Sequence, residues 1–262
     1  MSTPLRPAAA YLTRASITSS LKVELRRLTR SGLGLGVLVG FAFFGLSGPV
    51  LSIYMPEILG AAASTDQLAI SASQATPADA ISLFNQSAMQ LGLIVTVAVA
   101  ITSIGWDTRP GSSIFYRTRV HRLSTVLLPR LIIDWLIALA TYSCGLLLAV
   151  VVTASAIGHP PAGMVIRTWM ACGLYIVMAM SIGHLIAASL RRTTTAIALT
   201  TLLVLVLPVM NQVPGMSRRL PTVLLLPTGP HAMPVIAALV VIALCSAGSV
   251  FIAGRQTLRR DA

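Results

Sequence analysis

"LIIDWLIALATYSCGLLLAVVVTASAI", Leu131 to Ile157, runs for 27 residues with a single charged side chain, Asp134. A helix needs about 20 apolar residues to cross the hydrocarbon core of a bilayer, so this stretch spans it with length left over for tilt. Five more runs of the same kind lie around it: Leu33 to Met55, Ala88 to Trp106, Gly163 to Leu190, Thr195 to Val213 and Pro234 to Ala253. The chain therefore reads as an all-α polytopic membrane protein with six transmembrane helices. Composition agrees, since 55% of the 262 residues are hydrophobic and only 10% charged, and the mean hydropathy is +0.84, outside the balance of a water-soluble domain.

The net charge of +12 would point to nucleic acid if it formed a patch on a soluble face. Instead the basic residues gather in the gaps between apolar runs, which makes them a topology signal and excludes a nucleic-acid partner. Alternate gaps hold Arg6, Arg14, Lys22, Arg26, Arg27 and Arg30; then Arg109, Arg117, Arg119, Arg122 and Arg130; then Arg191 and Arg192; then Arg255, Arg259 and Arg260. The other side receives only Arg167, Arg218 and Arg219. Sixteen against three places both termini in the cytoplasm, as an even number of spans requires. Cleavage of the first span as a signal peptide is the competing reading. Its apolar stretch is longer than such a segment, its basic leader is too long, and five remaining spans would break the charge pattern.

Residues 1–14 lack periodicity and read as a disordered N-terminus. Residues 15–31 place Ile17, Leu21, Leu25 and Leu28 on one helical face and Lys22, Arg26, Arg27 and Arg30 elsewhere, the pattern of an amphipathic helix at a membrane surface; a plain solvated juxtamembrane segment is the alternative. Residues 32–254 form the six-helix domain and 255–262 a cytoplasmic tail. Outside the membrane, the loop after the first span carries no Lys or Arg and has a short helix near Pro77 to Leu83. The proline-broken segment before the last span holds the apolar run Val223 to Leu226, which reads as a re-entrant piece shielded by protein.

Absences narrow the chemistry. None of His121, His159, His184 and His231 is followed by Glu, so there is no H-E-x-x-H zinc site, and there is no G-x-S-x-G elbow. The only lysine, Lys22, stands in "SLKVE", so the chain has no phosphate-binding P-loop. No catalytic site, cofactor or metal site is expected in this chain. Cys144, Cys172 and Cys245 fall inside apolar runs and read as core residues. Asp134, with Arg130 one turn before it, reads as an i,i+4 intramembrane ion pair, either a snorkelling pair or a proton or cation relay. His184 reads as a hydrogen bonder in helix packing. Gly32, Gly36 and Gly40 recur every four residues and make a smooth ridge for close helix packing, within the chain or between two copies.

The remaining charged stretch is "WDTRPGSSIFYRTRVHR", Trp106 to Arg122. Pro110 and Gly111 end the incoming helix, Ser112 caps a short new one, and aromatics with a basic run follow. Such an element docks a cytoplasmic protein or only fixes topology. The layout resembles the permease subunits of ABC transporters of the type 2 exporter family. In that family an amphipathic connecting helix precedes six spans. The loop after the second span has an acidic residue, a Gly-Ser/Thr pair and a T-P-V-S-R-like segment, and a Gly-Lys pair opens the third span. The matching residues are Asp107, Gly111 with Ser112, Thr118 to Arg122, and Pro129 with Arg130. Arg119, His121 and Pro129 depart from the family's proline, serine and glycine.

What the resemblance implies is a permease of an exporter in the inner membrane of a bacterium, paired with a separate P-loop ATPase that binds ATP and magnesium. Six spans imply two permease chains, a homodimer or two related subunits, embedded in lipid. Asp107, Arg109, Gly111, Ser112, Arg117, Thr118, Arg119, His121 and Arg122 would form the ATPase contact. The cargo would be small and amphipathic or lipid-like, as in drug or antibiotic efflux. Two other readings stay open, a non-transporting membrane anchor or assembly protein and an ion-coupled carrier using Asp134.

Overall fold

The computed structural model describes residues 21–22, 24–62, 75–104, 124–190, 192–212, 220–225 and 232–258. Among them the chain is helical, with no strands. After a helical segment at 24–30 come α1 (Leu33–Ala62), α2 (Pro77–Ser87), α3 (Leu93–Ile104), α4 (Ser124–Ala156), α5 (Ala162–Leu190), α6 (Thr193–Val206) and α7 (Ala232–Leu258). Among the described residues six stretches are long and apolar enough to cross a membrane: Leu33–Met55, Pro77–Ser103, Leu127–Ala156, Ala162–Leu190, Thr193–Met210 and Ala232–Ile252. Large apolar side chains such as Leu35, Phe43, Leu147, Met170 and Leu244 are exposed along the outer helix faces. Water would penalise that surface and lipid accepts it, so this is a multi-pass membrane protein.

α5 is the centre of the bundle, packed on α3, α4, α6 and α7, while α1 packs on α2 and α4. Most buried hydroxyls are satisfied by their own helix: Thr96, Thr153 and Thr200 donate to Gly92, Ala149 and Ala196 carbonyls four residues back, each at 2.7 Å. Contacts between helices are therefore carried by shape and by a few polar bridges. Phe41, Phe84 and Tyr142 join α1, α2 and α4, with ring centroids 5.8 and 5.9 Å from Tyr142, and the Tyr142 hydroxyl donates to Asn85 Oδ1 at 2.8 Å.

The second crossing starts earlier than Ala88. Thr76 caps α2 and exchanges bonds with Asp79 in a capping box, with Pro77 in the first turn. A π-helical turn at Ala88–Gly92 then joins α2 to α3, so the short outer helix and the span form one rod. Polar Asp79, Ser82 and Gln86 disguise the outer part as loop, yet Ala80, Ile81 and Phe84 on its other face are fully buried.

α6 gives way to a 3-10 turn at Leu207–Gln212. Pro208 has no N–H for the Val204 carbonyl, and the Tyr175 hydroxyl from α5 donates to that oxygen instead, at 3.1 Å. Tyr175→Phe should therefore lower stability by about 1 kcal/mol, read from thermal unfolding in mild detergent. A second 3-10 turn, Pro221–Leu225, buries Thr222, Val223 and Leu224 against α5 and α7. Protein thus covers the described part of the segment expected to be re-entrant. Of the three cysteines only Cys172 is buried; Cys245 is partly covered and Cys144 is exposed, which corrects its reading as a core residue, because its side of α4 faces away from the bundle.

Candidate functional site

The segment at 24–30 does not present a simple leucine face. Leu28 is buried, but Leu25 is 50% exposed, and the side chain sharing the buried face with Leu28 is Glu24, 3% exposed. Gly32 makes this possible. The 24–30 helix ends with Ser31 N–H bonded to the Arg27 carbonyl at 2.9 Å, and Gly32 follows at φ +70°, the left-handed residue that lets the next helix set off in a new direction. Gly32 is thus the turn and not the start of a ridge, and a side chain on Gly36 or Gly40 would meet no other atom within 4 Å. Among the described residues the expected ridge plays no part in packing within the chain. The close approaches are at Gly45, Gly48 and Gly145.

Glu24 begins a buried polar circuit through four helices. Its Oε1 lies 3.1 Å from Arg27 Nη1 and its Oε2 lies 3.2 Å from Arg130 Nε on α4. Arg27 Nη1 also donates to the Ser103 carbonyl at 3.0 Å, putting a cation on the negative C-terminal end of α3. The Ser103 hydroxyl reaches Asp134 Oδ2 at 2.7 Å, and the same oxygen is 3.3 Å from His184 Nε2 on α5. The Arg130–Glu24 contact is an ion pair by distance rather than an aligned hydrogen bond, and the His184–Asp134 contact is a close approach that counts as an ion pair only with a protonated imidazole. Glu24, Arg130, Asp134 and His184 are each no more than 5% exposed.

The ion pair expected between Arg130 and Asp134 is corrected in its partners: one turn apart on α4, they reach to Glu24 and to His184 on other helices. Arg130 has a long side chain that follows the helix surface to a neighbour, while the short Asp134 carboxylate is held by what packs directly over it. Sequence reasoning missed Glu24 and Ser103 and gave His184 no partner. The signal for Glu24 was present, an acid on the stripe between Leu21 and Leu28 in an otherwise basic helix. Nothing in the sequence pairs Ser103 with Asp134.

A cavity of about 10 Å³ lies against Asp134, bounded by Leu28, Thr96, Ala100 and Met180. That is about the space of one water, and its walls are almost wholly apolar. Among the described residues no group of three or more His, Cys, Asp or Glu is placed to hold a metal ion.

Asp107, Arg109, Gly111, Ser112, Arg117, Thr118, Arg119, His121 and Arg122 lie outside the described residues. The two ends that carry them are placed, since α3 stops at Ile104 and α4 starts at Ser124. The polar circuit lies at these same ends, through Ser103 on one side and Arg130 on the other. No family model, no curated protein and no solved structure matches the chain.

Proposed function

We propose that this chain is the membrane-spanning permease subunit of an ATP-driven exporter of the ABC type 2 kind, with both termini in the cytoplasm of a bacterium and two permease chains per transporter. The observation that carries the reading is the polar circuit, which ties the helix before the first span to α3, α4 and α5 beside the 105–123 connection. A push by an ATPase on that connection moves both helices it joins. Through the Glu24 and His184 contacts the push also reaches the N-terminal helix and the central α5. The charge asymmetry of the gaps supports this end as the cytoplasmic one. ATP and magnesium would be bound by the partner, because this sequence has no P-loop. The exposed apolar faces and the scarcity of fixed charge in the spans favour an amphipathic or lipid-like cargo.

The test is co-purification of the tagged chain from mild detergent. A P-loop ATPase should come with it, and substrate-stimulated ATP hydrolysis by the complex should vanish in the Asp107→Ala, Arg109→Ala double variant while membrane insertion is unchanged. A chain that brings down no ATPase, or whose coupled activity survives the double change, sinks the reading in favour of a non-transporting anchor.

A further inference from the structure

We infer that Lys22, Arg26 and Arg30 form a binding surface for anionic phospholipid headgroups, on the side of the N-terminal helix turned away from the bundle. The three recur every four residues, the spacing that lines up side chains along one side of a helix. All three are exposed, as is Thr29 beside them. The Thr29 hydroxyl is spent on the Leu25 and Arg26 carbonyls, at 3.0 Å each, so the charges are the only polar groups this side offers. The helix sorts its charge by side: Glu24 is buried between Arg27 and Arg130, and among the described residues no acid lies within ion-pair distance of Lys22, Arg26 or Arg30. The outward field is therefore uncompensated and positive.

The contacts of the helix fix its level. Arg27 bonds the carbonyl of Ser103, the last residue of the second crossing; Glu24 meets Arg130, just inside the third; and Leu33 opens the first. The helix thus lies where three spans leave the hydrocarbon, the depth at which phosphates begin, and long Lys and Arg stems reach them. Leu25 selects lipid over an acidic protein surface. It stands among the charges and is half exposed, a cost in water or against charged protein that the edge of the acyl chains removes. Beyond Gly32 the exposed Leu33 and Leu35 continue that contact along α1. Since the opposite side of the same helix is docked through Glu24, lipid on the outer side and docking on the inner side stabilise one arrangement, and each favours the other.

The test uses the full chain in mild detergent, with no ATPase and no cargo, so its result does not depend on the exporter reading. Native mass spectrometry counts the lipids retained as phosphatidylglycerol or phosphatidylcholine is added. Phosphatidylglycerol should bind more tightly, and the triple variant Lys22→Gln, Arg26→Gln, Arg30→Gln should weaken it at least about tenfold while phosphatidylcholine is unaffected. Arg26→Gln alone should weaken it about fivefold, which decides the matter should the triple variant fail to fold. Removing the same charge from the tail, as Arg255→Gln, Arg259→Gln, Arg260→Gln, should leave the affinity unchanged. Equal binding of the two lipids, or an equal loss in the tail variant, overturns the site. So does a triple variant that keeps its phosphatidylglycerol but no longer brings down an ATPase, which would give this side of the helix to a protein.

Discussion

Glu24→Ala will cost the protein about 3–5 kcal/mol, the usual consequence of removing one partner from a buried ion pair. Glu24 is the acid between two arginines, and they differ in their escape. The Arg27 side chain is 36% exposed and can turn toward solvent; that of Arg130 is 6% exposed and keeps its charge inside the bundle. The damage therefore falls on the Arg130 contact. Arg130→Met alone should also destabilise, because it leaves the Glu24 carboxylate inside with only Arg27. Glu24→Ala combined with Arg130→Met should recover much of the loss, as the double change removes both charges and leaves an apolar side chain of similar length. Thermal unfolding of the purified chain in mild detergent reads all three variants. A single variant within about 0.5 kcal/mol of the unchanged chain would place Glu24 in water and dismantle the circuit.

The same circuit explains what the sequence could and could not tell. The spans were legible because a bilayer demands about 20 apolar residues in a row and the chain has six such runs. The start of the second was not, because a helix that packs one face on α1 and α4 can show Asp79, Ser82 and Gln86 on the other and still belong to the span. Spacing along one helix made Arg130 and Asp134 look like each other's partners. Pairing is decided by which helices are neighbours, and that is set by shape over distances no local pattern records. Glu24 looked like one more polar residue of a basic surface helix, since only the turn at Gly32 brings it back over α4. Gly36 and Gly40 had the right spacing for a packing ridge, but in this bundle they face away from every other helix.

Gly145→Ala is expected to be as disruptive as any single change in the chain, at about 3 kcal/mol or more. A methyl group on Gly145 would sit 2.6 Å from the backbone oxygen of Phe41 and 3.0 Å from its Cβ. Across the same crossing, a methyl on Gly45 would run into the Gly145 carbonyl. Each glycine is thus the place where the other helix's backbone passes. The α1 and α4 backbones are in contact with no side chain between them, and one added carbon must push the helices apart. That separation would also pull Phe41 from Tyr142 and loosen the aromatic cluster that ties α2 to both. Gly36→Ala and Gly40→Ala, in open space on the same helix, should leave stability unchanged or raise it by up to about 1 kcal/mol. The contrast separates a steric effect from the general preference of helices for alanine, which would act alike at all three sites. A second substitution completes the argument. Trimming Phe41 to Ala should fail to rescue Gly145→Ala, because the obstruction is the carbonyl oxygen, which every residue at that position carries. Recovery of stability in that double variant would show that the ring, and not the backbone, sets the distance between α1 and α4.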